Sequence, residues 1–548
     1  MRSSRPPKLL FLLLLLIATA LLWRLHPAML PQASNQAGQE QAEATPTSAP
    51  ATPAMTSVET SEALTAAAAT SLPTTQSVDD RPPTARLDSL VLRTRDDSGL
   101  EKMRQAAAQL GLREAGAITP LRLLLLQGDR DRLAALATTF PSEVLEYDVP
   151  VFLPEPKRSS TASGTLGQPF GAEFLDWLGV NQDNPERGDG VTVALLDTAV
   201  AATGSLSSAN LRTLDLFTLA QEGDYAGHGQ AVASLLAGQS ELVQGVAPGV
   251  NLLVIPVLDG HGIGSAFQVA EAIIAAVDAG AELISMSLGA YDSSMALRSA
   301  VEYAHNAGTV IVAAAGNDGY DQLLYPAAYP SVIAVSAVSA DAAWADFSNH
   351  GPGVDIAAPG VGLYADWPGG YWVEFTGTSA AVPSVTGVIA NLLAANPEMS
   401  AVDAADLVLA CADDAGAPGP DDFYGAGILN AARVDQANTP GIYDAAIAAH
   451  FLNLEKGFDD FHPIDVTVQN RGTETLPTVI LTLTLDGQTT THQFADVAPG
   501  AVVTATVTVD ARQLADGKTM TLTSSVETPG VTDTVPGNET RTSVLYMK

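Results

Sequence analysis

Cysteine is almost missing from this chain: Cys411 is the only one in 548 residues. No intrachain disulfide can form, so stability has to come from buried core. Cys411 lies in an Ala/Leu-rich helical stretch and reads as a small buried hydrophobe. Basic residues are also scarce, 26 Lys and Arg against 61 Asp and Glu, for a net charge of −35. That balance excludes nucleic acid and anionic membrane surfaces as natural partners and implies a soluble, salt-tolerant surface. Large apolar residues are few in residues 31–85, which are rich in Ala, Thr, Ser, Pro and Gln. Such a stretch cannot bury enough surface to order itself and reads as a disordered tether.

What is present begins with an apolar run at residues 9–23, preceded by Arg2, Arg5 and Lys8 and closed by Arg24. A positive start followed by an apolar stretch signals export. Ala18-Thr19-Ala20 suits a cleaved signal peptide, whereas the continuing Leu21-Leu22-Trp23 suits an uncleaved membrane anchor, so both readings of residues 1–30 stay open. In either case the rest lies outside the cytoplasm, in the cell envelope or beyond it. A chain of this length exceeds one core, and two to four domains are expected.

Residues 86–155 read as a small α+β domain. Strands are expected at 87–93, 115–118, 121–126 and 144–153, with helices at 99–110 and 129–140, in the β-α-β-β-α-β order of a split βαβ sandwich. Residues 156–169 are polar and loop-like. From 170 to 438 continuous apolar strands alternate with amphipathic helices, which predicts a parallel sheet with helices on both faces. The stretch 379–395 is apolar nearly all round and should be a buried central helix. Residues 439–548 turn to short alternating strands at 464–468, 479–485, 502–509 and 520–526. Asn470-Arg471-Gly472, Asp486-Gly487 and Pro499-Gly500 supply turns, and the whole predicts a β-sandwich.

Three short stretches carry the chemistry. They are Val193-Ala194-Leu195-Leu196-Asp197-Thr198, Gly227-His228-Gly229-Gln230-Ala231-Val232-Ala233 and Gly377-Thr378-Ser379-Ala380-Ala381-Val382-Pro383. A serine hydroxyl is a poor nucleophile until an imidazole takes its proton, and the imidazole needs a carboxylate to fix its tautomer. The order Asp, His, Ser is that of subtilisin rather than of chymotrypsin or the α/β-hydrolases. A fourth stretch, Ala313-Ala314-Ala315-Gly316-Asn317-Asp318-Gly319, follows a predicted strand.

On these motifs residues 170–434 resemble the subtilisin-like serine proteases, the subtilases. The resemblance implies a secreted or surface-anchored endopeptidase with Asp197, His228 and Ser379 as its triad and Asn317 as an oxyanion donor. It implies a P1 pocket walled by Ser287-Leu288-Gly289 and Ala314-Ala315-Gly316. Leu324 falls where some members carry glycine, which would narrow that pocket. Two departures from the family pattern stand out: Ala199 replaces a usual glycine, which requires a negative φ there, and Gln230 replaces a frequent threonine. Pro383 is expected in a first helical turn.

The position of residues 86–155 makes them resemble a subtilase propeptide, a folding helper and inhibitor of a zymogen. A maturation cut is then expected between about residues 156 and 171. The C-terminal sandwich resembles CARDB-type adhesive modules. No cofactor is required for such chemistry. Structural calcium is common in the family, but no ligand loop stands out, and Asp413-Asp414 and Asp421-Asp422 read as solvated faces. His261 and His305 receive no role. The partners implied are a peptide substrate, the chain's own propeptide-like domain and, through residues 9–23, a membrane. The rival reading is a catalytically inactive subtilase-like surface binding protein.

Overall fold

The computed structural model describes residues 86–154 and 167–546, apart from 142, 185, 454, 455 and 459. The expectations for the apolar run, the tether and the loop 155–166 fall outside the described residues.

The chain opens with β1 (Arg86–Arg93), α1 (Asp97–Gln109), β2 (Arg113–Ile118), β3 (Leu123–Gln127), α2 (Arg130–Thr139) and β4 (Val144–Asp148). These strands form an antiparallel sheet in the order β2-β3-β1-β4, the split βαβ arrangement. Residues Leu123-Leu124-Leu125-Leu126 are all buried, because both faces of this sheet are covered. Leu90, Leu92, Leu124 and Leu126 face α1 and α2. Val91, Leu123 and Leu125 share a second core with helices of the larger part. The run expected as a single strand over 144–153 divides in two. After Asp148 the chain leaves this sheet, and β5 (Pro150–Phe152) pairs elsewhere.

The larger part contains α3 (Phe174–Leu178), β6 (Thr192–Asp197), β7 (Leu211–Thr213), α4 (His228–Ala237) and β8 (Asn251–Pro256). Next come β9 (Ile263–Ser265), α5 (Ala266–Asp278), β10 (Leu283–Met286), α6 (Met295–Ala307) and β11 (Val310–Ala314). Then follow β12 (Val332–Val338), β13 (Ile356–Pro359), the hairpin β14 (Leu363–Trp367) and β15 (Tyr371–Phe375), α7 (Thr378–Ala395), α8 (Ala401–Ala410) and α9 (Ala431–Gln436). Seven strands pair in parallel in the order β13-β12-β11-β10-β6-β8-β7. Helices α4 and α7 pack in the core on one face and α5 and α6 in the core on the other. The fold is the α/β architecture expected from the alternating pattern.

Helix α7 is long and apolar enough to cross a membrane, yet it is 83% buried within the protein and forms its central core. Cys411 is buried at the end of α8, as its surroundings suggested.

The C-terminal part adds β16 (Ala445–Leu452), β17 (Phe461–Asn470), β18 (Leu476–Leu485), β19 (Gln488–Val497), β20 (Val502–Asp510), β21 (Thr519–Glu527) and β22 (Thr540–Tyr546). They form two antiparallel sheets, β16-β17-β20 and β19-β18-β21-β22, around one apolar core. Asp486 and Gly487 both take positive φ in the two-residue turn between β18 and β19, the backbone a tight hairpin requires.

Asp413 and Asp414 are not a solvated face. Asp413 pairs with Arg433 and with Arg471 of the sandwich, both at 3.1 Å. Asp414 is buried, and its N–H donates to Gln469 Oε1 at 3.0 Å, while Gln469 Nε2 returns a bond to the Ala412 carbonyl. The Asp413 carboxylate and the Asp414 backbone tie the α/β part to the sandwich, and the Asp414 carboxylate turns inward to accept from the Gly419 N–H at 2.9 Å. Asp421 likewise turns inward and accepts from the N–H groups of Ala417, Phe423 and Tyr424.

Candidate active site

Asp197 is the last residue of β6, at the carboxyl end of a central parallel strand, where open α/β sheets present functional groups. His228 is the first residue of α4, a helix buried along its whole length. The His228 Nδ1 lies 2.8 Å from Asp197 Oδ1 and 3.0 Å from Oδ2. A carboxylate can only accept, so Nδ1 carries the proton and the neutral ring keeps its lone pair on Nε2. Asp197 is held in turn by the Thr198 N–H at 2.6 Å, and the Thr198 hydroxyl accepts from the Gly229 N–H at 2.8 Å. A Cβ on Gly229 would lie 2.5 Å from the Thr198 carbonyl oxygen, so the residue after His228 has to be glycine for this approach.

The two departures at this end are accommodated. Ala199 is not among the described residues with positive φ. Gln230 is buried; its Oε1 accepts from the Ala201 N–H at 2.9 Å and its Nε2 donates to the Thr203 carbonyl, pinning the loop that follows Asp197.

Ser379 is the second residue of α7, so its N–H is one of the helix's unpaired first donors at the positive end of the dipole. Gly377 precedes the helix with φ 144°, a conformation other residues rarely adopt. The Ser379 hydroxyl donates to the Ser287 carbonyl oxygen at 3.5 Å rather than to His228. Pro383 does not stand in the first turn; it is the sixth residue of α7. A proline there removes the N–H that would bond the carbonyl four residues earlier, that of Ser379. The Ser287 hydroxyl takes that place, donating to the Ser379 carbonyl at 3.1 Å. Pro383 and Ser287 therefore work together to fix the turn that carries Ser379.

Asn317 follows β11 and is buried. Its Oδ1 accepts from the Thr378 N–H at 2.8 Å and from the Thr378 hydroxyl at 2.9 Å. Since a backbone N–H can only donate, the amide is oriented with Nδ2 facing outward, where it donates to the Pro154 carbonyl oxygen at 2.5 Å. The expected wall residues lie where this segment passes. β5 adds antiparallel to β9, and Phe152 exchanges both backbone bonds with Gly289, at 2.9 Å each. The Leu153 N–H donates to the Gly262 carbonyl at 3.0 Å. Residues 150–154 thus lie as an extended strand between two backbone edges, with the carbonyl of Pro154 over Asn317.

The model of the subtilase family matches residues 188–427. A thermostable alkaline protease of Halalkalibacterium halodurans is 35% identical over 297 residues, 53% of this chain and 80% of that protein. Subtilisin DY of Bacillus licheniformis is 36% identical over 255 residues, 44% of this chain and 90% of its own length. The chain belongs to the subtilase family. It is therefore a serine-type endopeptidase acting on protein or peptide substrates, and the subtilase match covers the seven-stranded sheet through the helix that carries Ser379. The split βαβ unit and the sandwich lie outside the matched residues.

His261 sits in an exposed turn and His305 is exposed at the end of α6. Sequence reasoning missed Thr378 and Thr198, which orient Asn317 and Asp197, and missed β9 as a peptide edge. The glycine-rich stretch Gly260-His261-Gly262-Ile263-Gly264 after a predicted strand was the available signal, since close backbone approach favours glycine.

Proposed function

We propose that this subtilase is an exported serine endopeptidase made as a self-inhibited precursor. Its Ser379 hydroxyl attacks the scissile carbonyl, and His228 Nε2 takes the hydroxyl proton. Asp197 holds the imidazole and stabilises its cationic form. Asn317 Nδ2 and the Ser379 N–H bind the oxyanion. Collapse of the tetrahedral intermediate expels the amine, protonated by His228, and leaves an acyl-enzyme on Ser379. Water, deprotonated by His228, then releases the acid.

The observation that carries this reading is the chain's own residues 150–154, laid across the site as a peptide would lie, with a carbonyl oxygen on Asn317. The same observation supports residues 86–154 as an inhibitory propeptide. The bond presented is the one that follows Pro154, just before the loop in which a cut was expected. Export rests on the basic residues and apolar run of the first 24 residues. The sandwich is proposed as an adhesive module by its CARDB-like turns.

The test is labelling with a fluorophosphonate, which reacts with an activated serine. Matured wild type should be labelled on Ser379 and Ser379→Ala should not, and a wild type that takes no label would return the chain to the surface-binding reading. N-terminal sequencing of active protein should give Glu155 as its first residue.

A further inference from the structure

The residue whose carbonyl rests on Asn317 is a proline, and the space between the two expected wall segments is already filled. Leu324 is 2% exposed and lies between the two wall segments. An atom placed at the Cβ position of Gly289 would be 2.6 Å from Leu324 Cδ1, and one at that of Gly316 would be 2.9 Å from Leu324 Cγ. The backbone around Leu324 is fixed to both walls. Its N–H donates to the Ala315 carbonyl at 3.0 Å, and the next residue, Tyr325, exchanges backbone bonds with Ala290 at 2.8 and 2.9 Å. Leu324 is thus a stopper held from both sides, and a long side chain entering between Gly289 and Gly316 would collide with it.

The chain's own seated segment matches this shape. Pro154 is buried and short. It brings no N–H, so nothing is left unpaired when it is seated. Val151 is fully buried in the core that contains Leu288, Ala290 and α5, and Leu153 packs against Gly262. The affinity of the segment therefore comes from strand addition and from Val151 and Leu153, while the residue before the cleaved bond only has to be small.

Resting on the peptidase reading above, we propose that this enzyme cleaves extended apolar peptides after small residues, proline and alanine, and that Leu324 sets this limit by occupying the floor of the pocket. Substrates of the class Val-Phe-Leu-Pro and Val-Phe-Leu-Ala are accepted, and those with Phe or Leu at the cleaved residue are rejected.

Matured enzyme is given four Val-Phe-Leu-X p-nitroanilides, with X as Pro, Ala, Phe or Leu. Pro and Ala should exceed Phe and Leu by at least about tenfold in kcat/KM, the range a pocket of fixed size discriminates. Leu324→Gly should raise the Phe substrate by about tenfold or more relative to Pro. A wild type that prefers Phe or Leu, or a Leu324→Gly variant with an unchanged Phe-to-Pro ratio, overturns the inference.

A second measurement needs no turnover. In full-length chain carrying Ser379→Ala, amide hydrogen exchange is read at Phe152, Leu153 and Gly289. Pro154→Ala should keep their protection, Pro154→Phe should lose about tenfold or more of it, and adding Leu324→Gly to Pro154→Phe should restore it. Equal protection in Pro154→Phe and wild type overturns the inference by itself. Absence of fluorophosphonate label together with the expected exchange pattern removes the peptidase reading and upholds the pocket. Normal labelling with a flat exchange pattern removes the pocket alone.

Discussion

At the scale of single residues, the site is a set of groups each held by another. Asp197 fixes the His228 tautomer, Thr378 fixes the Asn317 amide, and Ser287 with Pro383 fixes the turn bearing Ser379. Groups that act as one unit lose function together. Ser379→Ala should remove almost all peptidase activity, and adding His228→Ala should cost little further, as kcat measurements on the single and double variants would reveal. Asn317 Nδ2 donates to the Pro154 carbonyl, and on the proposed mechanism Asn317→Ala should lower kcat by roughly 10²–10³ with little change in KM. A raised KM at unchanged kcat would make Asn317 a ground-state contact instead. The residue types were legible because each came embedded in a motif. Their supports were not: Thr198 and Thr378 look like ordinary turn residues until the loops meet.

At the scale of elements, two carboxylates of β4 cap two helices of the larger part. Glu146 Oε1 accepts from the Ser294 hydroxyl at 2.9 Å and the Met295 N–H at 2.6 Å, at the start of α6. Asp148 accepts from the Ser265 hydroxyl at 2.5 Å and the Phe267 N–H at 3.2 Å, at the start of α5. Burial raises both carboxyls above the ordinary range. Removing each cap should cost about 0.5–2 kcal/mol of docking. Combined Glu146→Ala and Asp148→Ala should therefore speed amide exchange across β5, while exchange in β10 and β11 stays slow; unchanged protection in β5 would show that the caps do not hold the strand. The alternation of strands and helices over residues 170–438 and the buried helix α7 were legible from their apolar pattern. The short strands β7 and β9, the edge strand β13 and the hairpin β14–β15 were not, because strands of three to five residues give little pattern and take their identity from a neighbour's backbone, and the seven-residue β12 was missed as well.

At the scale of the whole molecule, buried acids lie near the seam between the sandwich and the α/β part. Burial raises the Asp414 carboxyl to about 7, with Asp421 and Asp413 adding to the shift and Arg471 opposing it. Burial likewise raises Asp444 to about 6, against a hydrogen bond from Asn538. A carboxyl whose folded value is raised stabilises the fold below its unfolded value of 3.8, and that contribution is lost as pH rises through the folded value. Asp414→Asn should thus match wild type in melting temperature near pH 4 and become increasingly more stable up to about pH 7, where the gap levels off. A gap independent of pH, or one that closes as pH rises, would mean the Asp414 carboxyl is not strained by its burial. The acidic composition itself could not disclose this, since 61 carboxylates read alike until some are buried.

The parallel α/β architecture, the split βαβ order, the sandwich and the motifs of the candidate site could all be read along the chain. Those features rest on periodicity and on motifs of a few adjacent residues, which are local and need no partner to be read. Packing had to settle that Asp413 pairs across the seam while Asp414 is buried, that Pro383 sits deeper in its helix and is complemented by Ser287, and that the run after Asp148 leaves its own sheet for the cleft. Packing also settled that Pro154 lies over Asn317 and that Leu324 closes the space between Gly289 and Gly316. Each of these joins residues far apart in the chain, and such contacts exist only once packing has chosen among backbones that the local pattern leaves equally open.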